Sequence, residues 1–411
     1  MMSNLKGVNI TKGLLGANRL SSSDAISGLV VAAIATSTLA VDTPTTVYNL
    51  KDVEQLGITA DYDQTNNIHC YRHLSEFYRI AGEGTELHLM LVARTETITT
   101  ISEKAKKLLV YAKGEIKQLA IAVNPTANPT MLNGLPAEVY NGVFKAQSLA
   151  NWAYENNMPL QVFIEGYAYG GTASTVANLR AIENLQADKV SVVIGQDFNY
   201  AKSKTGNAQK FADVGTVLGL CSKASVNQNI GDNEVFNITD AITGVWIEPG
   251  LSSHQKNIDV FSELQTLENK GYIFGITYAG MAGVRINNDH TCTPAIIDND
   301  NRINEHTIAY GRVMNKALRG LRTAYLPKVK TNWAVDEKTG KLSPGTVVAL
   351  EDIGDKVFED MVRRGEITYG KTIVDKESDL IVSKVLNVSF KIVPRGNIGE
   401  INGIINLKTQ V

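Results

Sequence analysis

From residue 47 to residue 276 the chain alternates helix-like and strand-like segments, and this alternation restricts the fold more than any other feature. Apolar residues at helical spacing predict helices over 47–56, 66–81, 102–113, 137–156, 174–187, 208–225 and 257–270. Between them lie short apolar runs at 87–92, 119–123, 160–164, 190–194, 245–247 and 272–276. Uninterrupted apolar runs bounded by helices mark parallel strands buried on both faces. The expected class is therefore α/β, with a doubly wound sheet over this block. No Pro/Ser-rich linker divides it, and no repeat of fixed period appears.

The 411 residues are 44% hydrophobic and 20% charged, which is enough apolar material for full cores in two or three domains. A net charge of −2 gives no overall basic field to hold nucleic acid or an anionic membrane. The apolar run 26–41 is diluted by Ser and Thr and is too short to span a bilayer, so it reads as strand plus turn and no membrane insertion is expected. Cys70, Cys221 and Cys292 are odd in number and widely spaced, which suits folding in a reducing cytoplasm. Near the beginning, Val8 and Ile10 alternate with polar residues, as a short strand on a flexible tether.

Near 285–303 the composition turns polar, and a domain boundary is expected at about residue 300. Beyond it, 305–325 has apolar helical spacing and carries Arg312, Lys316, Arg319 and Arg322 as a basic stripe. A second helix, about 350–364, is expected to bury Ile353, Val357 and Met361 and to show Asp352, Asp355 and Glu359 on another side. Two strands close the sequence. In the first, Val388, Phe390 and Ile392 alternate with polar residues until Pro394. In the second, Ile401, Ile405 and Leu407 share one face. A flat strand with no hairpin partner after it presents unpaired backbone groups and calls for a partner, which another chain can supply.

Candidate chemistry is sparse. Gly166, Gly170 and Gly171 lie in a turn (166–172) between a strand and an expected helix, where α/β proteins hold phosphates. The turn lacks a Lys-Ser/Thr pair and the G-x-G-x-x-G register, so a plain βα turn is the better reading and a nucleotide-binding enzyme the alternative. His69, Cys70 and His73, with His290 and Cys292, suggest a metal site only if an unsupported contact joins them; otherwise the histidines read as exposed helix and loop residues. No nucleophile motif appears, so no catalytic, cofactor-binding or metal residues are assigned.

Several stretches, taken in order, resemble contractile phage tail sheath proteins. They are R-V-M-N-K-A-L-R-G-L-R from Arg312, V-D-E-K-T-G-K-L over 335–342, M-V-R-R-G-E-I over 361–367, and F-K-I-V-P-R-G-N-I-G-E-I-N-G-I-I-N-L from Phe390. D-A-I-S-G-L over 24–29 and the run from Tyr71 to Val92 are similar to one small-sheath branch long described as a domain of unknown function. The resemblance implies an outer α/β domain (23–300), an inner α+β domain (301–396), and donated arms at 1–22 and 397–411. Val8 and Ile10 at one end, with Ile401, Ile405 and Leu407 at the other, would add strands to sheets on neighbouring copies. Val388, Phe390 and Ile392 would belong to the acceptor. Arg312, Lys316, Arg319 and Arg322 would face Asp352, Asp355 and Glu359 between subunits. The implied partners are further copies of the chain, an inner tube protein, and baseplate and tail terminator proteins, within a virion tail or related particle.

Overall fold

The sheet predicted from the alternating block is present and organises the larger part of the molecule. The computed structural model describes residues 24–408, so Val8 and Ile10 lie outside the described residues. In chain order the first strands are β1 (Ser27–Ala33), β2 (Pro44–Val47), β3 (Leu87–Ala93) and β4 (Gln118–Ala122). A minimal hairpin, β5 (Met131–Leu132) and β6 (Leu135–Pro136), precedes β7 (Gln161–Glu165) and β8 (Val190–Val193). Shorter strands follow: β9 (Gly195–Asp197), β10 (Pro249–Leu251), β11 (Gln255–Lys256), β12 (Tyr272–Ile273), β13 (Gly275–Tyr278) and β14 (Met281–Ile286). The interleaved helices are α1 (Leu50–Gln55), α2 (Ala60–Asn66), α3 (Cys70–Ala81), α4 (Ile98–Tyr111) and α5 (Ala137–Glu155). After them come α6 (Phe198–Lys202), α7 (Val214–Lys223), α8 (Phe261–Asn269) and α9 (Ile308–Tyr325).

Seven strands pair in the order β12-β8-β7-β4-β1-β3-β2. All neighbours are parallel except the edge pair β2 and β3. Side chains alternate across a strand, so each strand feeds two cores. Val30, Met90, Ile121 and Ile164 pack with α4, α5 and α8 on one face. Leu29, Leu89, Ala120 and Phe163 pack with α3 and α7 on the other. Gly215 lets α7 approach α3 closely, because a Cβ there would lie 2.3 Å from the His73 carbonyl oxygen. The run 26–41 is thus a central strand plus turn, and no helix among the described residues is long and apolar enough to cross a membrane.

Four local expectations are corrected. The helix expected over 66–81 is broken at Asn67, whose φ of 50° and ψ of 58° end α2, and Asp63 then accepts from the Tyr71 and Arg72 amides at the start of α3. Residues 174–187 form no α-helix and hold only a 3-10 turn at Leu179–Ala181. Lys270 Nζ gathers the carbonyls of Ala173, Ser174 and Val176, so those groups are satisfied without helical bonds. Residues 245–247 contribute an isolated bridge and not a sheet strand, because Trp246 has φ of 54° and turns its ring into the core. The first part of 208–225 is a 3-10 turn, and α7 starts only at Val214.

The chain divides into two units at Thr331/Asn332. Helix α9, expected to open the C-terminal domain, packs with the α/β unit. The smaller unit contains α10 (Pro344–Arg363), β15 (Ile367–Val374) and β16 (Val388–Pro394). Its two strands form an antiparallel sheet of their own, with Thr372 opposite Phe390 and Val374 opposite Val388.

Candidate functional site

In the smaller unit, Ser343 caps α10 by accepting from the Thr346 amide, and Pro344 occupies the first turn, where its missing N–H costs nothing. The helix buries Leu350, Gly354, Phe358 and Met361 on one stripe, so its anchor is Phe358, with Ile353 and Val357 only half-buried. Phe358 meets Phe390 edge-on, with centroids 6.1 Å apart. Gly370 leaves room for it, since a Cβ there would sit 2.4 Å from the Phe358 ring. Gly370, Thr372 and Val374 of β15 thus share the α10-facing side with Val388, Phe390 and Ile392 of β16. On the opposite side Tyr369, Ile373 and Val393 are exposed.

The following segment, 398–407, is neither paired nor packed among the described residues. Ile398, Ile401, Ile404, Ile405 and Leu407 are 79%, 83%, 89%, 96% and 103% exposed. Five large apolar side chains exposed together within ten residues differ from the scattered apolar residues of an ordinary surface. The expected second strand is therefore a segment of strand-like composition without a strand partner in its own chain, among the described residues.

The basic stripe is placed differently from its expectation. Arg312 is buried and donates to the carbonyls of Ala224 and Ser225 at 3.1 Å each. Lys316 pairs with Asp24 at 2.6 Å. Arg319 donates to the carbonyls of Gly114, Ile116 and Pro159, and burial lowers its pKa to about 10. These three side chains bind α9 to its own unit, which removes them as cations facing a neighbour; Arg322 is exposed. On α10, Asp352 pairs with Lys356 at 2.5 Å and Glu359 is exposed. Asp355 is held by Lys371 at 2.5 Å and accepts from the Thr372 amide at 2.7 Å.

The places where an α/β enzyme would hold a ligand are filled by the chain itself. Strand order reverses beside β1, and ligands of such sheets bind at the carboxyl ends of the strands there. At that edge Asn124 donates to Ala32 O, and Arg94 donates to the carbonyls of Asn66, Asn67 and Asn124. Glu165 accepts from Val123 N and Ala212 N, and burial raises its pKa to about 7. The cleft among these residues has a volume of about 10 Å³, room for roughly one water and far below the size of ordinary ligand pockets. In the turn 166–172, the Gly166 amide donates to Val193 O, the Gly170 amide to Gly134 O, and the next amide beyond, of Ala173, to Glu263. A carboxylate thus stands at the end of the expected phosphate cradle.

His69, Cys70 and His73 are buried, which corrects the expectation of exposure for the two histidines. His69 stacks on Phe211 and bonds the Ala208 carbonyl, and burial lowers its pKa so that it stays neutral. His290 lies elsewhere, between Arg180 and Glu268, and Cys292 pairs by backbone with Ala187. The two groups are not brought together. Sequence reading missed the buried ion cluster at Arg72, whose guanidinium lies 2.7 Å from Asp213, 3.3 Å from Asp197 and 3.7 Å from Glu76, over the Tyr200 ring. The only local signal was an Arg and a Glu four apart on the inward face of α3.

Models of the DUF2586 N-terminal and C-terminal domains match residues 5–290 and 306–411. No curated protein matches. Among solved structures, the contracted helical sheath of the anti-feeding prophage aligns with a TM-score of 0.61 at 13% identity, covering 99% of both chains. A chain of the anti-feeding prophage baseplate aligns at 0.59 and 14% identity, covering 99% of this chain and 100% of that one. The sheath tail protein of Listeria innocua aligns at 0.50 and 12% identity, covering 90% and 94%. Identities this low establish likeness of fold, and the likeness extends over both units.

Proposed function

From the chain's membership of the DUF2586 family, to which it belongs through both domains, we propose that it is a structural subunit of a contractile tail sheath. Copies polymerise into a hollow helical cylinder around an inner tube, and the cylinder shortens to drive the tube through a cell envelope. Baseplate and tail terminator proteins bound its two ends. The observation that carries this reading is the exposed apolar segment 398–407 in a chain that also holds a two-stranded sheet with Tyr369, Ile373 and Val393 exposed on one face. Donation of that segment to a neighbour is β-augmentation: ladder hydrogen bonds supply affinity and alternate side chains supply register. Each fully buried Ile or Leu adds roughly 1.5–3 kcal/mol. Donor and acceptor are different surfaces, so the contact is heterologous and propagates as an open helix. Val8 and Ile10 form the second proposed arm, and Arg322, Asp352 and Glu359 are the charges still proposed for contacts between copies.

Removal of 398–411 tests the reading. The full chain is expected to sediment as long assemblies and to show cylinders in negative-stain electron microscopy. The truncated chain is expected to stay monomeric with an unchanged melting temperature. Cylinders formed by the truncated chain would overturn the reading, and so would unfolding of its C-terminal unit.

A further inference from the structure

We propose that the α/β unit makes a head-to-tail contact with a second copy, in which an isoleucine finger, residues 294–304 of one copy, seats on the apolar surface around Ile258 and Phe261 of the next. The contact rests on the reading that copies polymerise, but it uses neither chain end and lies wholly within the α/β unit.

The finger is a polar stretch that the chain fixes by local bonds. Ile297 and Ile303 stand opposite each other in an antiparallel bridge, framed by Asp298 N donating to Arg302 O at 3.0 Å and Asn304 N donating to Ile296 O at 3.2 Å. The Asp298 carboxylate accepts from the Asp300 and Arg302 amides at 2.9 Å each and pairs with the Arg302 guanidinium at 2.7 Å. Asn304 closes the base, accepting from the Ile296 amide at 2.8 Å and donating to the Pro294 carbonyl at 2.9 Å. The finger so shaped exposes Ile296, Ile297 and Ile303. It falls between the two matched domain stretches, 5–290 and 306–411, and so is part of neither domain's shared pattern. A knob that is ordered before contact loses little freedom on docking.

The seat has Ile258 and Phe261 exposed where the chain enters α8, Tyr278 and Met281 exposed at the turn of the β13–β14 hairpin, and Ile242 exposed on a turn beside β14. These segments adjoin: Asn257 Nδ2 donates to Gly275 O at 2.6 Å, and Val284 N donates to Thr239 Oγ1 at 2.8 Å. Single exposed apolar side chains are ordinary, whereas five on adjoining segments mark a contact surface.

Finger and seat lie at opposite ends of the same strands. Cys292 N donates to Val190 O at 2.8 Å, which roots the finger at the start of β8. Strand β12 runs parallel to β8, and β13 carries the chain on from the end of β12 to Tyr278. A knob at one end and an apolar seat at the other do not meet within one chain. They meet when copies stack in one direction, and a heterologous contact of this kind propagates.

Cross-linking in full-length protein tests the contact. Asp300→Cys at the fingertip is combined with Ala279→Cys at the hairpin turn; both positions are exposed, whereas the three native cysteines are buried. A short bis-maleimide added to assembled protein is expected to give a ladder of linked chains on a denaturing gel, and each single variant is expected to give single chains. Cylinders without a ladder would overturn this contact and leave the sheath reading standing. Dimers from either single variant would overturn its head-to-tail sense, and a chain that never associates would overturn both proposals. Ile297→Asp and Phe261→Asp alter exposed side chains, so the melting temperature should hold while the protein concentration needed for cylinders rises by roughly tenfold or more for each. Combined, they should cost no more than either alone, because one contact can be lost only once. Losses that multiply would show that finger and seat do not meet.

Discussion

The two units treat exposed valence in opposite ways. In the α/β unit Arg312 and Arg319 of α9 end on carbonyls of that unit, and buried carboxylates such as Glu165 and Asp63 each accept two backbone amides. In the C-terminal unit one helix covers one face of a two-stranded sheet, and among the described residues Tyr369, Ile373 and Val393 on the other face are exposed and an apolar segment is left unpacked. A single hairpin is marginal in water and gains stability from further strands. The difference is that the first unit pairs its buried charges within itself, while the second leaves an apolar segment unpacked among the described residues. The experiments below act on that contrast, in falling order of their expected effect on subunit stability.

Arg72→Met is expected to cost the most. It leaves Asp213, Asp197 and Glu76 buried around an uncharged side chain, and breaking a buried ion cluster by removing one partner costs about 3–5 kcal/mol. Thermal unfolding followed by circular dichroism should show the α/β unit melting far earlier. A small shift would mean that this unit does not depend on its internal pairing. Phe358→Ala comes next, at about 3 kcal/mol for a buried aromatic lost from a small core. Hydrogen exchange should increase in β15 and β16 and remain unchanged in β1 and β4.

What was legible in the sequence follows the same division. The strands of the large sheet were readable because burial on both faces writes them as unbroken apolar runs, and β1, β3, β4, β7 and β8 fall where those runs lie. The false helix at 174–187 has helical spacing in Val176, Leu179 and Ile182, but its carbonyls are claimed by Lys270, more than ninety residues away. Arg312 illustrates the same limit. A cation on a helix stripe reads as solvated, and only the fold brings it to Ala224 O. The apolar alternation of 398–407 was visible, but its exposure was not, since a pattern records which face is apolar and not what covers it.

Glu165 supplies a pH test of intermediate size. Its pKa is raised to about 7 by burial, from an ordinary value near 4.5, so the native state holds a proton that the unfolded state releases between those values. The contribution is complete below about pH 4.5 and is lost as pH rises to about 7. Buried histidines such as His69 slope the other way, so the useful quantity is the difference between wild type and Glu165→Gln, in which they cancel. The cost of Glu165→Gln is expected to be greatest near pH 4.5 and to shrink by on the order of 1–3 kcal/mol toward pH 7.5. Urea melts at several pH values measure it. A cost independent of pH would show that Glu165 is charged in the folded protein.

Ile405→Asp is expected to do least to the subunit and most to its association. Ile405 is 96% exposed, so the substitution removes no packing from its own chain, and surface changes of this kind stay within about 0.5 kcal/mol. In a donated strand the same carboxylate would be carried into a sheet beside Ile401 and Leu407 without a cation reserved for it, and an unpaired buried charge is strongly disfavoured. Melting temperature should therefore be unchanged while sedimentation shows loss of assembly. Ile405→Val keeps the apolar face and β propensity and should retain assembly. If Ile405→Asp lowers the melting temperature by several degrees, the segment packs on its own subunit and the contrast between the two units fails. If it assembles as wild type does, residues 398–407 are not the joint between copies.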